Sequence, residues 1–498
     1  MVFHRVRPCI LFGGILQRGR AVKDNTILSV GIDVGTSTTS MVVSSMTVKN
    51  TAACFAVPHV TITGHDIIYR GKIYATPQTD GAHLDIAALQ RIIQAEYSAA
   101  GITPEAVDTG AVIITGESSR KENAALVTGM LSEIAGEFVV ATAGPDLEAV
   151  IAAKGAGAQQ LSIDKSCTVA NIDIGGGTSN IAAFCCGELV FKSCYDIGGR
   201  LLRVDSSGMI TYVSPRLAIV AKSLGLSLQM GQRALRSALK AVTARMAQVL
   251  AEAVGLCDPT PLCEALHTLA ASPFLPELRV DAITFSGGVA NAYYHPGAEP
   301  FLYGDIGILL AQALHENGCF SSATVLTPKE TIRATVIGAG SYTTTISGST
   351  IDYSETELFP MKNLPAVLPG EAAEQQALLG KPDGLIQALH WSVKQSDADR
   401  MILCLNNIHN PTYLQIGRLA QAVLEAFTDA APDAPILVLT REDFAKALGQ
   451  AIKRRTPKGA DVICIDSIWA EQGDYLDLGR PLAGGAAIPV VVKTLLFG

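Results

Sequence analysis

The 498-residue chain has little aromatic content, 6%, and only two tryptophans. With an alanine- and glycine-rich texture and 48% hydrophobic residues, it suits helices packed closely on sheets. It has no Cys-x-x-Cys pair and no zinc spacing, so its eleven cysteines do not read as a metal or disulfide framework. An odd count with the vicinal pair Cys185–Cys186 points to reduced thiols of a cytosolic protein. Neither His-Glu-x-x-His nor the base-off cobalamin signature Asp-x-His-x-x-Gly occurs, so the nine histidines give no sign of a zinc hydrolase or of a cobalamin ligand. Positive charge is not in surplus: the net charge is −8 and the pI about 5.6. That excludes the usual electrostatic route to nucleic acid or an anionic membrane. Long apolar runs are missing too. Leu482–Val492 contains Pro489 and is too short to span a bilayer.

Five basic residues (Arg5, Arg7, Arg18, Arg20, Lys23) surround a short apolar patch, Cys9–Leu16, which Gly13–Gly14 interrupts. No small-residue cleavage site follows. Residues 1–26 are therefore read as a disordered extension, a targeting tail or the product of an upstream start codon.

What is present is a motif written twice. Gly31-Ile32-Asp33-Val34-Gly35-Thr36-Ser37-Thr38 is an apolar strand, an aspartate, a glycine and a run of hydroxyls. Asn171-Ile172-Asp173-Ile174-Gly175-Gly176-Gly177-Thr178 has the same order 140 residues later, about one subdomain. Glycines without a β-carbon let backbone amides close on an anionic oxygen. Asp33 and Asp173, at strand ends just before the turns, are suited to hold a divalent cation through water. Two such turns facing each other make a phosphate clamp around one metal.

Strand and helix patterns extend the duplication. Ile27–Asp33, Thr39–Met46, Val60–Tyr74, Ala111–Thr115 and Phe138–Ala141 read as strands of the first half. Asp85 and Gly101 bracket a helix, and Ser119 with Glu122 forms a capping box. In the second half, Cys167–Asp173, Asn180–Phe184, Leu189–Lys192 and Ala282–Phe285 read as strands, and Ser227–Val254 as one long helix. Asp196-Ile197-Gly198-Gly199-Arg200 is a further glycine turn, and Gly338 and Gly340 permit close backbone approach. Pro360, Pro365 and Pro369–Gly370 punctuate a stretch read as a linker. Beyond it, alternating strands and helices argue a small parallel α/β unit. The expected boundaries are 1–26 for the extension, 27–165 and 166–346 for two subdomains, 347–384 for the linker and 385–498 for a C-terminal α/β domain.

Five landmarks in this order resemble the actin, Hsp70 and sugar-kinase ATPase superfamily: Asp33–Thr38, the Gly144-Pro145-Asp146 helix, Asp173–Thr178, Ser286-Gly287-Gly288 and Gly338-Ala339-Gly340. The resemblance implies an α/β, two-lobed actin-like fold with duplicated ribonuclease H-like subdomains. Wording closer still, in Val112–Ala124, Thr142–Glu148, Lys154–Ala158 and Asp474–Pro481, resembles the reactivating factor of ethanolamine ammonia-lyase. That family implies an ATP-dependent chaperone, a slow ATPase, that frees damaged cobalamin from its client so that intact adenosylcobalamin can bind. It further implies ethanolamine utilisation in the cytoplasm, in association with a bacterial microcompartment, and ATP and Mg2+ as cofactors.

On this resemblance Gly35, Thr36, Ser37, Thr38, Gly175, Gly176, Gly177 and Thr178 would hold the phosphates. Gly287, Gly288 and Gly338 would line the adenosine side, and Asp33 and Asp173 would hold the metal. The superfamily's water-orienting position falls on Gly144, leaving Asp146, Glu148 or Asp196 to substitute. The expected partner is ethanolamine ammonia-lyase, with no nucleic acid and no membrane, and homo-oligomerisation is left open. A small-molecule kinase of the same superfamily is the alternative function. An actin-type scaffold has no support beyond the shared fold.

Overall fold

The computed structural model describes residues 26–494, except 36–37, 52–59, 80–82, 116–122, 124–125, 128–129, 132–138, 143–144, 269–277, 343–344, 348–349, 396–399 and 458–459. The Ser119–Glu122 capping box and Gly144 therefore lie outside the described residues, as does the chain before Thr26.

In the first half, β1 (Thr26–Val34), β2 (Thr38–Asn50) and β3 (Val60–Arg70) form an antiparallel meander. The short β4 (Tyr74–Ala75) pairs with the start of β2, while β5 (Thr109–Ile114) and β6 (Val139–Thr142) continue the sheet in parallel on the other side of β1. The strand order is β3-β2-β1-β5-β6. The second half contains β7 (Thr168–Ile174), β8 (Ser179–Cys185) and β9 (Glu188–Tyr195), then the hairpin β10 (Leu202–Val204) and β11 (Ile210–Val213), and finally β12 (Ala282–Ser286) and β13 (Thr324–Val325). Its five-stranded order is β13-β12-β7-β8-β9, again antiparallel on one side of the first strand and parallel on the other. The two sheets are thus the same construction made twice, a two-lobed actin-like α/β fold. β7 is buried throughout and β1 except at the half-buried Thr26, Leu28 and Asp33, as suits central strands covered on both faces.

Two helices join the halves. The first connecting helix, Pro145–Ala156, crosses the second, Ala334–Tyr342, with bare backbone at the contact. A β-carbon on Gly155 would overlap the Ala334 carbonyl, and one on Gly338 would overlap the Ile151 carbonyl. The second helix lies equally close to β1, where a β-carbon on Gly31 would overlap the Val336 carbonyl and Ser29 Oγ donates to the Gly340 carbonyl (2.9 Å). Close approach is what these glycines provide.

Two expectations are corrected. The long helix is Arg236–Ala253, and residues 227–235 are irregular. There the chain turns back at Gly231 (φ +79°), and its backbone bonds to Ile210 of β11. The presumed 347–384 linker is structured. It holds β15 (Asp352–Tyr353), β16 (Met361–Val367) and the helix Glu371–Leu378, while β14 (Thr345–Ile346) precedes it. With β17 (Ile402–Leu405), β18 (Ile436–Thr440), β19 (Val462–Ile465), β20 (Asp474–Leu478) and β21 (Pro489–Thr494) they make one eight-stranded sheet, ordered β14-β21-β20-β16-β17-β18-β19-β15. Pro365 is tolerated inside β16 because that strand pairs with β20 up to Pro365 and with β17 only from Ala366. Ala487 of this C-terminal unit packs with Ile27, Met46 and Val48 of the first sheet.

Among the described residues no helix is long and apolar enough to cross a membrane. Replacing Gly338 by valine is expected to force the connecting helices apart, at a cost of about 3 kcal/mol. Thermal unfolding followed by circular dichroism checks this: the midpoint should fall by several degrees, and an unchanged midpoint would mean the crossing is not tight.

Candidate functional site

The strands that flank each Asp-x-Gly motif are closed by the same backbone hydrogen bond. Gly35 N donates to Thr38 O (2.9 Å) at the first turn, and Gly175 N donates to Thr178 O (2.9 Å) at the second. Behind them the ladders pair Asp33 with Ser40 and Asp173 with Asn180, so the two aspartates hold equivalent places. Gly175, Gly176, Gly177 and Thr178 are half-buried; the Gly175 amide is used inside the hairpin. Thr38 is half-buried as well, whereas Thr36 and Ser37 lie outside the described residues.

Both carboxylates are held by a hydroxyl from the neighbouring parallel strand or its end. Thr115 Oγ1 donates to Asp33 Oδ1 (3.0 Å), and Ser286 Oγ donates to Asp173 Oδ1 (2.5 Å). Behind Ser286 the buried relay continues: Thr284 Oγ1 donates to Asn171 Oδ1, and Asn171 Nδ2 donates to Ser286 Oγ, both at 2.9 Å. Burial pushes the Asp33 carboxyl up to about 7; the Thr115 hydroxyl pulls it back and the charge of Asp173 raises it further. Burial likewise lifts Asp173 to about 6 against the pull of Ser286. The two carboxylates therefore sense each other across the lobes, and among the described residues neither has a cationic partner.

That arrangement fits a divalent cation. Two carboxylates favour it, and among the described residues no group of three or more acidic, histidine or cysteine side chains gathers to cage a metal. A cation held there would keep water or phosphate oxygens in its remaining positions, as Mg2+ does.

The turn at 196–200 packs directly on the second hairpin. Gly199 N donates to Gly175 O (2.9 Å) and Arg200 N to Gly176 O (2.7 Å), while Ser179 Oγ donates to Ile197 O (2.7 Å). A β-carbon on Gly198 would overlap the Gly176 carbonyl, so glycine is required for the approach. Asp196 is thereby brought to the edge of the site, with its carboxylate paired to Arg216 Nε at 2.8 Å.

Gly287 adopts φ +86° at the end of β12, where a β-carbon would overlap the Ile174 carbonyl, so a left-handed glycine lets the helix Gly287–Tyr294 start against β7. Gly288 beside it faces open space. Gly338 is the exception among the expected site residues. It is occupied by the helix crossing, with Ile151 where a ligand atom would have to be, and it does not join the others.

Sequence reasoning missed Thr115, Arg216 and Thr76. Thr76 Oγ1 donates to the Gly35 carbonyl (2.7 Å). Only Thr115 left a trace, as the last residue of the strand Ala111–Thr115 expected from the sequence, whose observed end is Ile114.

The raised carboxyls carry a pH consequence. Their native values lie above the usual unfolded range near 4, so the native state binds more protons between about pH 4 and 7. Their contribution to stability is present in acid and is lost as pH rises through about 6 to 7. Without metal or nucleotide, Asp33→Asn is therefore expected to melt a few degrees above wild type at pH 8, and the gap should shrink toward pH 5. A gap independent of pH would contradict the burial of Asp33 as an unpaired acid.

The family model described as "Ethanolamine utilisation protein EutA" matches residues 25–498. The chain is 40% identical over 478 residues to the ethanolamine ammonia-lyase reactivase EutA of Salmonella typhimurium, covering 95% of this chain and 98% of that one. It is 40% identical over 477 residues to the reactivase of the same name from Escherichia coli K12, with the same coverage. Among solved structures, the Ppx/GppA family member of Aquifex aeolicus aligns with 64% of this chain and 98% of its own, at 12% identity and a TM-score of 0.37, too loose a superposition to add to the strand topology. The chain belongs to the ethanolamine utilisation protein EutA family.

Proposed function

We propose that the chain is an ATP-dependent reactivating chaperone of adenosylcobalamin-dependent ethanolamine ammonia-lyase. The observation that carries the client is the 40% identity, end to end, with proteins named as reactivases of that lyase. The same relatives leave the kinase alternative without favour. The pair of equivalent hairpins supports the nucleotide: Gly35 and Gly175 spend their amides closing the turns, the Gly176–Thr178 amides on one side and the Thr38 hydroxyl on the other would meet phosphate oxygens, and Asp33 and Asp173 would hold Mg2+ between them. Gly287 and Gly288 would border the adenosine. When bound, ATP supplies the free energy of its hydrolysis. Asp196, held by Arg216 beside the second hairpin, would orient the attacking water.

The coupling is a matter of linkage. One nucleotide state must bind a loosened lyase better than a tight one, since only differential affinity shifts an equilibrium. A difference of about 3 kcal/mol favours cofactor release by roughly a hundredfold. The cleft between the subdomains is the proposed hinge, and the C-terminal unit the proposed client-facing surface.

Two measurements test this. Gly288→Leu should leave the melt unchanged, because its side chain enters open space, yet raise the dissociation constant for Mg-ATP at least about tenfold by obstructing the adenosine side. Unchanged affinity would remove Gly288 from the site. For the client, ethanolamine ammonia-lyase inactivated with cyanocobalamin should recover ammonia release only when this protein, Mg-ATP and adenosylcobalamin are all present. Recovery without ATP, or ATP hydrolysis without recovery, would refute the proposal.

A further inference from the structure

The stretch joining β3 to β4, residues 70–76, is tied to both halves of the molecule. Gly71 N donates to Met41 O (2.9 Å), and a β-carbon on Gly71 would overlap Glu96 Oε2. Glu96 is 2% exposed and accepts from Tyr69 Oη (2.8 Å), Tyr74 Oη (2.6 Å) and Lys72 N (3.2 Å), which fixes the course of the stretch over the helix Ile86–Ala100. From the second half, Arg333 Nη2 donates to the Gly71 carbonyl (2.9 Å), and Glu330 Oε1 pairs with Arg70 Nη2 (2.6 Å). Between those two residues, Thr331 O accepts from Gly287 N (3.1 Å), at the start of the glycine loop that borders the proposed adenosine site.

The far end of the stretch reaches the first hairpin. Thr76 has one hydroxyl proton, and it goes to Gly35 O (2.7 Å). The contact with Thr39 Oγ1 (3.1 Å) must then run from Thr39 to Thr76. The Gly35 carbonyl is thus held at the end of a two-hydroxyl chain, one peptide from the turn.

We infer that residues 70–76 form a positioning strap that couples the Gly287–Gly288 loop to the first phosphate hairpin, with Thr76 setting that hairpin and Arg333 anchoring the strap on the second half. The inference rests on the nucleotide reading above for its consequence in ATP binding, but the strap's grip on the hairpin can be measured without ligand. The Arg70–Glu330 pair is half-exposed on its arginine side and adds little. Beside the β4–β2 pairing, which sets Ala75 opposite Thr38 and Tyr74 opposite Thr39, the Arg333 guanidinium on a peptide carbonyl and the Thr76 hydroxyl on Gly35 hold the strap. When the lobes close or open, the strap moves the first hairpin together with the adenosine loop, so both sides of the nucleotide site tighten at once.

The test compares Thr76→Val, which keeps shape and loses the hydroxyl, with Thr76→Ser, which keeps it. Mg-ATP titration calorimetry on the full chain should give about a tenfold higher dissociation constant for Thr76→Val, and a value within about twofold of wild type for Thr76→Ser. Amide hydrogen exchange without nucleotide should quicken across residues 27–46 in the valine variant alone, with the thermal midpoint unchanged. Wild-type affinity in Thr76→Val, or equal loss in Thr76→Ser, would overturn the inference. Weaker binding without faster exchange would make Thr76 a direct ligand contact and would overturn it as well. If the wild-type protein takes up no Mg-ATP, the nucleotide reading fails, and the exchange comparison alone decides for or against the strap.

Discussion

Backbone touches backbone where the connecting helices cross, and the geometry of the two lobes depends on that contact. Gly155 meets Ala334 and Gly338 meets Ile151, with no room for a β-carbon on either glycine. The second helix then rests on β1 through Gly31 and Gly340. Side chains can adjust by changing rotamer, but a peptide carbonyl in van der Waals contact cannot. The crossing therefore fixes where the first strands of both sheets end relative to each other, and with them Asp33 and Asp173. A looser crossing, padded by larger residues, would let the two hairpins drift beyond the reach of one phosphate chain.

With that spacing set, the fold accepts a cost at the cleft. Two carboxylates are brought together in a poorly hydrated place with hydroxyl partners and, among the described residues, no cation. Alone this destabilises the native state above neutral pH, as their raised proton affinities record. A cation would relieve it. The same cost that weakens the protein alone would favour the proposed metal-bound nucleotide, since a ligand that binds only the native state stabilises it. The eight-stranded C-terminal sheet touches the first sheet. β14 follows the second connecting helix closely, and Ala487 packs on the first sheet.

Local chemistry explains what was legible in the sequence. An aspartate, a glycine and a hydroxyl run between two apolar strands specify a hairpin by themselves, and writing it twice announces a duplicated fold. Gly338 shows where such reading ends: a glycine in a helix declares that something comes close, but the sequence does not say whether it is a ligand or the carbonyl of Ile151. Pro365 misled for a related reason. Proline argues against a central strand, yet here the strand changes partner at that residue and needs no amide from it. Thr76 and Thr115 act on residues 41 and 82 positions away, contacts that no periodicity encodes. The Ser227–Leu235 segment has helical spacing but is drawn into hydrogen bonds with β11, a tertiary override of local preference.

The central claim is that the two hairpins hold one nucleotide between them rather than acting as separate turns. A double-mutant cycle on Mg-ATP affinity, measured by calorimetry with Asp33→Ala, Asp173→Ala and the pair, tests it most directly. If both carboxylates share one cation, removing the second after the first should cost far less than removing it alone, and the losses should be strongly non-additive, by about 1 kcal/mol or more. Additive losses, or more than one nucleotide bound per chain, would contradict the account.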